Sequence, residues 1–544
     1  MATFFLFTSF NFSNATIQEP VDSMEYVNVI IAPQEWYETA SILANYHTSR
    51  GILTTVANTS WIYSNYEAAE DPPFTGYADR FLVRFFIRDY DYVLAKKIIT
   101  FLRDSTYHPN LEYITLLGSG EIIPASYYLY SPFRTLYRVF DRLVPSIYNN
   151  RIATDFFYTS PNYDLWPNFK VGRLPVSTEQ QAAHVINKII TWQENVEWEW
   201  FQNAYLAGDH PDHPEEMDLD GCYVGEMIIA DAINNNYFQG MNCEKLFWTE
   251  DRFYPKDVLE VLEQGDAGFL YVITHGSIDR WYFVETNPLF IQTNDVLNIP
   301  ENKNLPVVVS VACMVGAYDT MCAQSFGFSR GNPSLGQSIL LSEGAGIAYV
   351  GTTRATLGSP QLYLDNGEVV ITKQRGIAGL LNYFFSSYHQ GYTRLGDISY
   401  NALKSYVNDN VFGLQPGREE AFAVLVSYVV LGDPVLELPE QQINTRPSYT
   451  VPSISALNPE GMTSETYSRP WYSHDSTIEF YITTTSPTIS IKIIDIHKDL
   501  VVFRDSFELI DPLYSYNPEE TGRYLIRAIG DDGKEGWLYF TVQY

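Results

Sequence analysis

Apolar runs of strand length alternate with longer amphipathic stretches over most of the chain. "YVNVIIA" (26–32) suits a buried strand, and "EWYETASILANYHTSRG" (35–51) repeats its apolar residues at helical spacing before stopping on Gly51. "ILTTVAN" (52–58) reads as the next strand, a helix follows near 91–104, and "LEYITLLGS" (111–119) is a strand ending on a Gly-Ser turn. The stretch 120–165, rich in Tyr, Pro and Asn, reads as long loops. "NFKVGRLPVST" (168–178) is a strand and turn leading into a helix at 179–196. Alternation at this spacing predicts parallel βαβ units.

A second series begins near 201. "FQNAYLAG" is a strand, "DHPDHPEEMDLDG" (209–221) an acidic loop, and 222–235 a helix. Three strands follow at 269–274, 307–312 and 346–352, with helices near 374–387 and 394–408, and "YVVLGDPVLEL" (428–438) closes the unit. After a Pro-bearing linker the period shortens to two, and "DDGKEG" sits between alternating runs as a hairpin turn would. The predicted organisation is a tail at 1–25, α/β subdomains at 26–200 and 201–440, and an all-β sandwich of immunoglobulin-like size at 441–544.

Composition narrows the function classes. With 46% hydrophobic residues the chain can fill several cores. Acidic residues outnumber basic ones 65 to 34, and such a surface repels nucleic acid and anionic lipid. The four cysteines (Cys222, Cys243, Cys313, Cys322) are too few for a disulfide scaffold, although Cys222 and Cys243 could bridge. There is no CxxC pair and no HExxH, so zinc is not expected. No segment reaches the ~18–20 apolar residues that span a bilayer. The Phe-rich start "MATFFLFTSFNFSNA" and sequons at Asn11, Asn14 and Asn58 point to an extracellular or cell-surface location, with a cytoplasmic one as the alternative.

The chemistry gathers where apolar runs stop. "YVITHGSIDRW" ends its run on His275, and "VVVSVACMVGAYD" ends its run on Cys313. In an open α/β sheet, ligands bind beyond the carboxyl ends of the strands. Adjacent strands would therefore bring an imidazole and a thiol to one rim, where a thiolate can attack a carbonyl and the imidazole can move the proton. Gly276, lacking a side chain, could offer its amide to an oxyanion together with that of Cys313. A cysteine closing a Val run is equally what a packed small hydrophobe looks like, so both readings stay open on the residues alone.

"THGSIDRW" and "VACMVGAYD", in this order, resemble the His-Gly and Ala-Cys motifs of the gingipain family of cysteine peptidases, in the clan of caspases and legumain. "YITLLGSGEIIPAS", "TDFFYTSPN", "NFKVGRLPVST", "GAGIAYVGTTRATLGSP" and "VLGDPVLEL" also fall where that family has comparable segments. The resemblance implies a caspase-like unit of two α/β subdomains with mostly parallel sheets, Cys313 as nucleophile and His275 as acid/base, plus a C-terminal immunoglobulin-like sandwich. Asn168, with Asp155 upstream, stands near where the family can carry a carboxylate supporting the histidine. "GTTRATLG" would wall the primary pocket with Thr353, Arg354 and Leu357, beside Thr274 and Val311. Gln180 and Gln181 stand where arginine-specific members are thought to carry an acid, so strict Arg preference is not expected. Arg354 would then favour an acidic residue before the scissile bond, the competing reading being a solvated loop arginine paired with a neighbour such as Asp365.

The resemblance also implies structural calcium, for which Asp209, Asp212, Asp218 and Asp220 offer oxygens. Their spacing is not that of an EF-hand, and a solvated acidic loop is the competing reading. Thiol chemistry requires no organic cofactor. The expected partners are protein or peptide substrates, and oligomeric state leaves no trace in the pattern. Two other functions remain open: a transpeptidase or secretion-linked processing enzyme resolving the same acyl-enzyme with an amine, and a catalytically idle surface or adhesion protein.

Overall fold

A computed structural model describes residues 26–71, 91–129, 151–208, 224–247, 250, 252–283, 289–320, 332–354, 361–365, 368–373, 376–410 and 419–442. In the C-terminal region it describes 453–457, 461–462, 470–474, 477–495, 500–508, 513–531 and 535–543. The first series contributes β1 (Asn28–Ala32), β2 (Thr54–Asn58), β3 (Tyr113–Leu117), an antiparallel pair β4 (Ser126–Leu129) and β5 (Arg151–Thr154), and β6 (Lys170–Leu174). The second contributes β7 (Asn203–Gly208), β8 (Asn242–Phe247), β9 (Phe269–Ile273), a meander β10 (His275–Ser277), β11 (Arg280–Phe283) and β12 (Leu289–Gln292), then β13 (Val307–Val311) and β14 (Ala348–Thr352). The pair β15 (Gln361–Asp365) and β16 (Glu368–Lys373), and β17 (Tyr428–Leu431), complete it.

Both series share one ten-stranded sheet, in the order β2-β1-β3-β6-β17-β14-β13-β9-β7-β8. Each half is parallel within itself, and β17 runs parallel to β6 but antiparallel to β14. The carboxyl ends of β3, β6 and β13 nevertheless meet at one edge, where Gly120 N donates to Tyr318 O at 2.9 Å and Gln337 Nε2 to Pro175 O at 3.2 Å. β9 is buried along its whole length and β13 up to Val311, as their largely apolar runs require when helices cover both faces. Burying one such Val, Ile or Leu side chain contributes about 1.5–3 kcal/mol.

The stretch read as loops at 120–165 contains β4, β5 and the short helix Phe156–Thr159. Among its described residues, Tyr127, Tyr128 and Tyr158 are buried core material rather than loop decoration. Asn58 is not an acceptor for glycan. It is buried, and its side chain caps the helix Thr59–Asn65 by accepting from the Trp61 amide at 2.7 Å. No helix among the described residues is long and apolar enough to cross a membrane.

Among its described residues the C-terminal region is all-β, with strands Ser453–Leu457, Ile478–Thr483 and Leu513–Tyr516 in one sheet. A six-stranded sheet includes Thr488–Asp495, Gly522–Gly530 and Glu535–Gln543. Ile454, Phe480 and Ile482 from the first meet Ile491, Ile493, Ile526 and Phe540 from the second in a common core. This is the outcome of the period-two pattern.

Candidate active site

Strands β9 and β13 lie side by side, in register from Phe269 opposite Val307 to Ile273 opposite Val311, and β14 flanks β13 on its other side. The Thr274 amide extends this ladder by donating to the Val311 carbonyl at 3.1 Å. His275 and Cys313 thus leave the sheet at the same edge, from neighbouring strands.

Beyond Thr274 the chain turns into the meander. Its anchor is Trp281, fully buried, whose indole N–H donates to Ser310 Oγ at 3.0 Å, three residues before Cys313. Ile278 packs against Met314 and Ala317 of the cysteine loop. Gly276 sits opposite Trp281, and a Cβ there would lie 2.6 Å from the Cys313 carbonyl oxygen and 2.9 Å from Ala312 Cβ. Only a glycine lets these two backbones come so close.

His275 is exposed, and Cys313 is half-buried and outside any disulfide. Both are reachable from solvent, unlike a cysteine packed as a core hydrophobe. The next residue, Met314, is left-handed with φ 62°, a conformation costly for a side chain with a Cβ. It is fixed by its neighbours: Met314 N donates to Arg354 O at 3.2 Å, and Gly316 N to Thr352 O at 2.8 Å. Burial pushes the Tyr349 phenol up, and the nearby Cys313 sulfur adds to that shift.

Several expected site residues stand elsewhere. Asp155 is buried against Arg173, which donates from Nε to Oδ2 at 2.8 Å and from Nη2 to Oδ1 at 2.6 Å, while Tyr318 donates to Oδ1 at 2.8 Å. It does not support His275. Asn168 is exposed at the start of β6, four strand spacings from β9, roughly 19 Å at ~4.8 Å each. That is beyond the reach of an Asn side chain. Gln181 caps the helix Glu179–Asn195 locally, accepting from Ser177 N at 2.8 Å. It follows the carboxyl end of β6, where the Pro175 carbonyl accepts from Gln337 Nε2 at 3.2 Å.

Thr353 is buried and donates to the Ala153 carbonyl at 2.6 Å. Arg354 is fully buried, with its fork on Asp319 at 2.6 and 3.1 Å. Neither faces a substrate, and an arginine already neutralised in the interior has no charge to offer an acidic side chain. The remaining expected wall, Thr274 and Val311, is half-buried beside the pair. Leu357, the acidic residues Asp209, Asp212, Asp218 and Asp220, and Cys222 and Cys322 lie outside the described residues. Arg173, Tyr318 and Asp319 were not singled out by the sequence. Tyr318 and Asp319 stand in the "AYD" that closes the turn after Cys313, but nothing in that pattern names their partners.

A profile of peptidase family C25 matches residues 22–439. An uncharacterized protein of Archaeoglobus fulgidus is 27% identical over 405 residues, covering 72% of this chain and 90% of its own length. The complex of Porphyromonas gingivalis RgpB pro- and mature domains has a similar fold, with TM-score 0.52 and 15% identity over 95% of this chain and 100% of that one. So does the Arg-specific cysteine proteinase gingipain R, with TM-score 0.51 and 15% identity over 97% and 100%. With the profile spanning most of the chain, the protein is a member of peptidase family C25, the gingipain family of cysteine peptidases.

Proposed function

We propose that the protein is a cysteine endopeptidase working through a Cys313–His275 dyad. The observation that carries this reading is the contact of Gly276 with the Cys313 carbonyl, which brings the two strand-end segments together at a solvent-accessible rim. The Cys313 thiol passes its proton to His275 as sulfur bonds to the peptide carbonyl carbon. The carbonyl oxygen becomes an oxyanion, for which the amides of Gly276 and Cys313 are the donors. Collapse breaks the C–N bond, and the leaving amine takes the proton from His275. Water then attacks the thioester while His275 removes its proton, releasing the acid and restoring the thiol. Asp155 is held by Arg173 and Tyr318, and Asn168 lies out of reach, so neither serves as a third member.

Digestion of an unbiased peptide library tests the reading. Internal cleavage by the wild type that vanishes in Cys313→Ala and His275→Ala supports it. Cleavage that persists in Cys313→Ala overturns it, and transfer to an added amine in preference to water would reassign the enzyme as a transpeptidase.

A further inference from the structure

We propose that Tyr318 and Asp319 are positioning residues for the nucleophile, through which the first α/β series holds Cys313 in place; this rests on the reading of Cys313 given above. Cys313 opens a loop whose left-handed Met314 would relax if the loop were free. What holds the loop is its far end, which is buried in the first series.

Tyr318 is fully buried. Its hydroxyl donates to Asp155 Oδ1 at 2.8 Å, and its ring lies 4.2 Å from the Arg173 guanidinium. Its carbonyl accepts from the Gly120 amide at 2.9 Å. Arg173 is itself immobilised, since its Nη1 donates to the carbonyls of Gly118 at 2.7 Å and Ile123 at 2.8 Å. Asp319, also buried, takes the Arg354 fork and accepts from the Tyr127 hydroxyl at 2.8 Å. A Cβ on Gly120 would stand 2.9 Å from Asp319 Cβ, so the two segments are in close packing.

The circuit closes on the nucleophile. The carbonyl of Arg354 accepts from the Met314 amide, next to Cys313. Asp155, Arg173, Gly120 and Tyr127 all belong to the first series, whereas Cys313, Tyr318, Asp319 and Arg354 belong to the second. The first half of the sheet thus contributes none of the reacting groups but fixes the loop that carries one. Small displacements of a reacting atom are expensive in rate, of order 100-fold per ångström.

The test uses the full chain with Tyr318→Phe, which keeps the ring against Arg173 and removes only the donor to Asp155. Tyr127→Phe, which removes a donor to Asp319, is the second arm should the first fail to fold. Each is assayed on a peptide substrate cleaved by the wild type in a Cys313-dependent manner. The expected result is a kcat lowered about 10-fold with KM within about twofold, together with slower alkylation of Cys313. A folded Tyr318→Phe and Tyr127→Phe with wild-type kcat and alkylation rate overturn the proposal while leaving the dyad standing. If wild-type turnover does not depend on Cys313, both fall together.

Discussion

The Thr274 amide donates to the Val311 carbonyl at 3.1 Å, one step beyond the last register pair of β9 and β13. That single extra rung aligns the two strand ends, so the residues one and two positions further on, His275 and Cys313, project from one edge. The chemistry proposed for this protein depends on that alignment.

Gly276→Ala tests how much room the dyad has. The new Cβ would stand 2.6 Å from the Cys313 carbonyl oxygen, so one of the two segments must shift. Steady-state kinetics should show kcat/KM reduced roughly 100-fold with the fold retained by circular dichroism. Unchanged kinetics would mean that this contact does not set the geometry.

Arg354 is a structural ion-pair partner. Arg354→Met leaves the Asp319 carboxylate buried without its fork, which should lower stability by about 3–5 kcal/mol in urea unfolding. Adding Asp319→Leu removes the stranded charge and should recover part of that loss. A single variant as stable as the wild type would contradict the assignment.

Arg527 and Glu226, both fully buried, tie the all-β region to the α/β unit at 3.2 Å. Arg527 also approaches Glu250, which Lys492 reaches at 3.1 Å. Glu226 opens the helix Val224–Asn234, and a Cβ on Gly208 at the end of β7 would lie 2.9 Å from its amide. Calorimetry of Glu226→Gln should show the all-β region melting separately and earlier, with about 3 kcal/mol lost. One unshifted transition would show that the pair contributes nothing to docking.

Lys188 links the halves differently. Its ammonium donates to the carbonyls of Leu340, Ser342 and Gly346, and burial pushes it down to about 7. Between that value and the ordinary ~10.4, the unfolded chain binds more protons than the folded one, so this group makes stability rise with pH. Wild-type thermal stability measured against Lys188→Met should therefore improve from pH 7 to 9. A flat difference would refute it.

The rim was legible in the sequence because apolar runs of strand length stop there on reactive residues, and the runs at 269–274 and 307–312 became adjacent parallel strands. The direction of β17 was not: "YVVL" has the same pattern either way, and only its antiparallel pairing with β14 reveals it. Edge strand β8 escaped notice because "NCEKLF" is polar on its exposed stretch. Buried charges were the largest blind spot. Asp155 and Arg354 read as groups available for function, and nothing in spacing says that Arg173 and Asp319, distant in sequence, neutralise them.

The most direct measurement is the rate of Cys313 carbamidomethylation near pH 6.5, where an ordinary thiol is almost wholly protonated, in wild type and in His275→Ala. The account predicts rapid, selective modification of Cys313 in the wild type, slowed at least ~10-fold by loss of the imidazole. Equal rates in the two proteins, or a Cys313 that does not react at all in the folded wild type, would contradict it.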